Sequence, residues 1–183
     1  LVVAGWRQWN ALRLAVDHED GRSLEAIGDD GFIGMISQED LQGRPFVGPA
    51  GTLLRELMEE AEISAVWLTN AVKHFKFKPR GKLRLHQNPN RGEVQHCRWW
   101  LDLERRFVAP RLTLALGATA AYALTGNPGP LQNRRGQSEQ AMDGGPVLIS
   151  WHPSYILRLS GKEAQSARSM LLQDLRHAAR ITI

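Results

Sequence analysis

The chain has 183 residues, 43% of them hydrophobic, and a formal net charge of +4. That supports one domain with one core, while the single cysteine, Cys97, excludes a disulfide framework and points to a reducing cytoplasm. No apolar run nears the roughly 20 residues needed to span a bilayer, and nothing before residue 30 reads as a signal peptide.

In chain order, Leu1 in place of Met reads as a fragment, a processed chain or an imperfect gene model. Trp6 to Val16 is expected to be a short amphipathic helix, and the acidic, glycine-rich Asp17 to Gly31 a loop. Gln38 to Gly51 reads as a long loop with two prolines and three glycines. Thr52 to Ala61 places Leu53, Leu54, Leu57, Met58 and Ala61 at helical spacing. Val66 to Thr69 reads as a short buried strand, and residues 73 to 89 as a basic loop.

Asn90 is expected to cap a helix, with Glu93 as its capping-box partner; Val94, Cys97, Leu101 and Phe107 follow on that helix. Leu112 to Leu116 is a predicted strand, and Gly117-Ala118-Thr119 turns into a helix stopped by Gly126. Pro146 to Ser150 is another predicted strand, and the last helix runs from about Lys162 to Ala179. Strands alternating with helices predict an α/β domain with a mainly parallel sheet. In such sheets ligands bind beyond the carboxyl ends of the strands, where Asn70, Gly117 and His152 fall.

The segment from Ile63 to Gly92 carries Lys73, Lys76, Lys78, Arg80, Lys82, Arg84 and Arg91 and no Asp or Glu. Such a one-signed run suits a polyanion, and nucleic acid is the commonest. Upstream lies the loop from Gly43 to Gly51 with Phe46 inside it. Phe46 is either a hydrophobic plug under that loop or a platform for a stacked base. Asn70 is either a turn residue or an amide matched to the donor–acceptor edge of a pyrimidine.

His152-Pro153-Ser154 is either a proline turn or a motif whose neutral histidine donates to a developing anion. Ser154 and Arg158 suit phosphates, and Tyr155, Ile156 and Leu157 suit a wedge into a base stack. His86 is either a solvated loop histidine or, kept neutral by surrounding like charge, a nucleophile. His74 and Cys97 are two candidate metal ligands, or a loop histidine and a core cysteine.

Taken together, these motifs resemble the uracil-DNA glycosylase superfamily, and within it the X-type branch (UdgX) that traps its substrate covalently. The resemblance rests on Gln38-Glu39-Asp40, Gly43 to Gly51, and Thr69-Asn70-Ala71-Val72-Lys73-His74-Phe75. It continues through Gly81 to His86, Asn90-Arg91, Cys97 to Leu101, Leu116 to Ala120, and His152-Pro153-Ser154. It covers roughly four-fifths of the chain, from about Gln38 onward.

The resemblance implies a three-layer α/β/α sandwich around a central mainly parallel sheet. It implies a hydrolase of uracil-containing DNA, single-stranded by preference, acting as a cytoplasmic monomer with no membrane. By resemblance, Phe46 stacks on the flipped-out base and Asn70 reads its edge. His152 stabilises the departing base, His86 attacks the sugar and stays attached, and Asp40 matches an acidic position of the first motif. Lys73, Lys82, Arg84, Ser154 and Arg158 fall at DNA-contacting positions.

The family's opening motif, a strand followed by Gly-Glu-Gln-Pro-Gly, aligns by counting back from Gln38 with Phe32 to Ile36, which puts Ile33 in place of its Glu. Its Lys-Arg-Arg-Ile-His loop reads Lys82-Leu83-Arg84-Leu85-His86. The resemblance also implies a 4Fe–4S cluster, with His74 and Cys97 at two ligand positions and an incomplete set. Residues 1–36 are therefore expected to be a divergent or truncated segment and 37–183 the glycosylase-like domain.

Overall fold

The computed structural model describes residues 2–5, 46, 48–73, 76–80 and 83–182. The helix and loop expected between Trp6 and Gly31, the segment Phe32–Ile36, and Asp40, His74 and Lys82 lie outside the described residues.

The main sheet has five strands: β1 (Val2–Gly5), β2 (Trp67–Asn70), β5 (Thr113–Leu116), β6 (Ser138–Gln140) and β7 (Pro146–Ser150). Their spatial order is β2-β1-β5-β7-β6. The first four in that order are parallel, and β6 pairs antiparallel with β7 at one edge. β2 forms the other edge, which explains why Trp67 is exposed on a strand expected to be buried while Thr69 and Asn70 are covered.

Val2–Gly5 is an inner strand of this sheet, between β2 and β5, with Gly5 in register with Asn70 and Ala4 paired to Ala115. The expected division at residue 37 therefore leaves an inner strand on its far side.

Alternate side chains of β5 and β7 feed two cores. Leu114, Leu116 and Leu148 pack with Leu54, Leu57, Leu171 and Leu175 on one face. Ala115, Val147 and Ile149 pack with Val94, Leu101, Ala120 and Leu124 on the other. The period-two alternation of strand side chains produces this split, and helices on both faces complete a three-layer α/β/α sandwich. Each fully buried leucine contributes roughly 1.5–3 kcal/mol of transfer free energy.

Helix α1 is Pro49–Glu60, three residues earlier at its start than helical spacing alone suggested. Pro49 opens its first turn, where a missing N–H costs nothing and a fixed φ is already helical. Glu62 ends it at φ 57°, with the Ile63 N–H donating to the Met58 carbonyl at 2.9 Å.

The expected basic loop is instead a β-hairpin. β3 (Phe77–Arg80) pairs antiparallel with β4 (Leu83–His86), with Phe77 opposite His86 and Arg80 opposite Leu83. The Gln87 N–H donates to the Lys76 carbonyl at 2.9 Å, extending the ladder beyond His86. His86 therefore sits at the base of the hairpin rather than at its turn. Alternation of apolar and basic residues around Gly81-Lys82 is a hairpin signal; Pro79 inside a strand obscured it.

Helix α2 (Arg91–Val108) begins at the expected capping box. The Asn90 side chain accepts from the Glu93 N–H at 2.9 Å, and the Glu93 carboxylate accepts from the Asn90 N–H at 2.7 Å. Phe107, expected along its apolar side, is 76% exposed, and Glu104 and Arg105 are buried instead. Helix α3 (Ala118–Thr125) ends as expected at Gly126 in the left-handed conformation. The short α4 (Pro153–Ile156) and the long α5 (Gly161–Thr182) close the chain. Among the described residues no helix is long and apolar enough to cross a membrane.

Candidate active site

The carboxyl edge of the sheet gathers the residues with chemistry. β7 ends at Ser150, and His152 follows as the N-cap of α4. The His152 Nδ1 accepts from the Ser154 N–H at 3.1 Å, and the Ser154 hydroxyl lies 2.8 Å from the same nitrogen. A ring nitrogen that accepts from a backbone N–H carries no proton, so the neutral tautomer has its proton on Nε2. That is the form suited to donating toward a developing anion. Ser154 is buried, with its hydroxyl directed at this imidazole, where it orients His152.

Gly117, at the end of β5, lets His152 approach. A Cβ there would lie 3.1 Å from the His152 Cβ, and its φ of +88° disfavours any side chain. The Gly117 N–H also donates to the Ser150 carbonyl at 2.9 Å, joining the ends of two neighbouring strands.

Phe46 stacks on His152, with ring centroids 5.8 Å apart and planes inclined by 22°. It is almost fully buried and holds φ 59°, a strained value for a residue with a side chain. Phe46 packs with the core under its loop, and its ring meets the imidazole of the second motif. Gly51 makes this possible, since a Cβ there would stand 1.5 Å from the Phe46 carbonyl oxygen.

Asn70 closes β2 at the same edge, buried, three strands from β7. At about 4.8 Å per strand the two strand ends are ~14 Å apart. That spacing accommodates a planar ring between an amide on one side and an imidazole on the other. The hairpin carrying His86 springs from the segment that follows Asn70.

Lys73, expected to contact DNA, is turned inward. Its ammonium donates to the Glu104 carboxylate at 2.7 Å and to the Thr69 hydroxyl oxygen at 2.6 Å. The Thr69 hydroxyl in turn donates to the same Glu104 oxygen at 2.5 Å. Burial lowers the Lys73 pKa, and the Glu104 charge opposes that shift. The ring holds this cation against the buried Glu104 carboxylate. Arg158 and Lys78 are exposed, as phosphate contacts require, and so is Leu157; Ile156 is core and unavailable as a wedge.

A second buried carboxylate braces β7. Asp174 on α5 accepts from the Ser150 hydroxyl at 2.5 Å and from Arg135 at 2.9 and 3.1 Å. Burial pushes the Asp174 carboxyl above its usual range, against the pull of Ser150 and Arg135. Glu104 could have been suspected from sequence, because it continues the apolar stripe of Cys97 and Leu101 at helical spacing. Asp174 follows Leu171 and precedes Leu175 in the same way.

Cys97 is buried among Val94, Leu101 and Ala71 and lines a cavity of about 640 Å³ with Val72, Lys76, Glu93 and His96. Lys76 and Glu93 pair at 2.9 Å within this wall. A 4Fe–4S cluster takes four ligands. The cavity offers one thiol, the only one in the chain, and among the described residues no group of three or more His, Cys, Asp or Glu is placed to hold a metal ion. The residues present do not fit the cluster.

The parallel sheet with aromatic, amide and imidazole groups at its carboxyl edge is the frame of a nucleobase-handling protein. The model of the Uracil DNA glycosylase superfamily matches residues 34–176, and the chain belongs to that family. It is a glycosylase-type hydrolase by that membership. It is 33% identical over 144 residues to a type-4 uracil-DNA glycosylase of Thermotoga maritima, covering 77% of this chain and 70% of that protein. A type-4 uracil-DNA glycosylase of Pyrobaculum aerophilum is 34% identical over 131 residues, 67% of this chain and 63% of the relative. A third, from Sulfurisphaera tokodaii, is 34% identical over 91 residues, 47% of this chain and 38% of that protein.

Proposed function

We propose that the protein recognises uracil in single-stranded DNA, breaks its glycosidic bond and retains the abasic sugar on His86. The observation that carries this reading is the stacking of Phe46 on His152 at the sheet edge that also ends in Asn70. Glycosidic cleavage develops a cationic sugar and an anionic base, so the site must first extrude the base and then stabilise its charge.

In this reading the flipped base lies against Phe46, with its edge on Asn70. The C1′–N1 bond breaks with its electron pair going to the base. The His152 Nε2–H donates to the resulting anion, a role supported by the Nδ1 acceptor geometry. The unprotonated ring nitrogen of His86 forms the new bond to C1′, and the other ring nitrogen gives its proton to solvent. Tethering that nucleophile replaces water at high effective concentration. Asp40 is assigned the acidic position of the first motif. Lys82, Arg84 and Arg158 are assigned the phosphates, in a cytoplasmic protein acting as a monomer.

The X-type assignment rests on the Lys82-to-His86 segment. Its test is a denaturing SDS gel of the protein incubated with uracil-containing single-stranded DNA beside a thymine control. A uracil-dependent shifted band that His86→Ala abolishes is the expected outcome. Free uracil without a band refutes trapping and leaves a turning-over glycosylase.

A second reading is a uracil-binding module without chemistry. It is favoured by one observation: counting back from Gln38, Ile33 stands where the family's opening motif carries Glu. Uracil-selective binding with neither free uracil nor a band identifies that case.

A further inference from the structure

We infer that the buried ring of Thr69, Lys73 and Glu104 is the positioning device for Asn70, and so sets how strictly the site discriminates uracil. The inference rests on the assignment of Asn70 as the base reader.

Asn70 ends an edge strand. Its backbone is in register with Gly5 of β1, and the chain leaves the sheet directly after it. A side chain that must present a donor and an acceptor to a base edge has to be held within a narrow geometry. The ring contributes to that hold. Thr69 precedes Asn70 and Lys73 lies three residues beyond, so the two flank the reader in sequence. Both are tied to one carboxylate oxygen of Glu104 on α2. The third side, Lys73 to Thr69 at 2.6 Å, closes the ring across the turn containing Asn70.

All three residues are at least nine-tenths buried. Their hydrogen bonds are charge-assisted and shielded from water, which makes them short and directional. α2 is itself fixed at its start by the Asn90–Glu93 box and by Lys76 on Glu93. The reader is thereby referenced to a capped 18-residue helix as well as to its own strand.

Thr69→Val keeps the branched shape and removes the hydroxyl that joins both partners; Thr69→Ser restores it. The readout is the ratio of single-turnover rates or affinities on DNA containing uracil and cytosine, measured with Asn70→Ala and the double variant. Arg134→Met is the control for lost stability, since Arg134 pairs with Glu139 away from the site. Thr69→Val is expected to lower the uracil preference between about tenfold and a hundredfold, as a roughly 1 Å misplacement does. Thr69→Ser is expected to recover it, and the double variant to be no worse than Asn70→Ala alone. Arg134→Met is expected to lose Tm and keep the ratio.

A second readout does not use uracil. The side-chain amide signals of Asn70 in a ¹⁵N spectrum are expected to be one sharp pair in the native protein and broadened or shifted in Thr69→Val. An unaltered ratio in Thr69→Val, losses that add with Asn70→Ala, or unchanged amide signals overturn the inference. If the native protein shows no uracil preference while the amide signals respond, the assignment of Asn70 as a uracil reader fails and its positioning by Thr69 stands.

Discussion

Gly51→Ala puts one methyl group where the structure has no room. The new Cβ would lie 1.5 Å from the Phe46 carbonyl oxygen, 2.1 Å from its carbon and 2.7 Å from its Cα. All three are backbone atoms, so no rotamer change relieves the clash. To reach even a 3.0 Å contact, the carbonyl oxygen must retreat by about 1.5 Å. Position 51 is inside α1, where alanine is otherwise favoured over glycine by roughly 1 kcal/mol. Helix propensity alone therefore predicts a stabilised protein. The steric argument predicts a displaced loop that takes Phe46 off His152. A reacting group misplaced by more than 1 Å costs about 100-fold in rate. The assay is single-turnover uracil release or adduct formation beside a thermal melt. The expected outcome is a loss on the order of 100-fold with little change or a fall in Tm. A Gly51→Ala protein with native activity and a raised Tm would falsify the claim that this contact fixes the stacking residue.

Three further outcomes test other parts of the structure. Gly117→Ala meets the His152 Cβ at 3.1 Å and requires a residue with a side chain at φ +88°, so activity is expected to fall at least tenfold, with Tm lowered by the strain; near-native kinetics would count against the packing of His152 on Gly117. Arg158→Ala removes an exposed cation beside the His152 motif. The slope of log affinity against log salt is expected to become shallower by about 0.7 on single-stranded DNA, and an unchanged slope would remove Arg158 from the phosphate contacts. Arg134 holds the Glu139 carboxyl below its ordinary value of about 4.3. That pair therefore stabilises the fold above the ordinary value and loses its contribution as pH falls through the depressed one. Glu139→Gln is expected to lower Tm at pH 7, with the gap to the native protein closing as pH falls below the ordinary carboxylate range; a gap constant with pH would show that Glu139 is not titrating against Arg134.

Local signals fixed much of this protein before any fold was known. The Asn90–Glu93 box and the Gly126 stop arise from interactions within a few residues, and each forms as the local pattern requires. The alternation of strands and helices sufficed for the α/β class. The Gly43–Gly51 loop, Asn70 and His152-Pro153-Ser154 carried the family resemblance, because they are short motifs with fixed residue types.

Tertiary structure alone decided the rest. Nothing near Val2 says that it lies beside Trp67 and Thr113, since strand pairing across so many residues is set by the assembled sheet. The sign of a charge did not reveal its partner: Lys73 lies in a basic run, yet it faces Glu104, 31 residues away in sequence. Likewise a serine suited to phosphate became the partner of a histidine, and a glycine in a loop became the space for a neighbour's carbonyl. Periodicity records which face of an element is apolar. Which polar groups meet inside, and which backbone atoms must pass one another, follows only from packing the layers together.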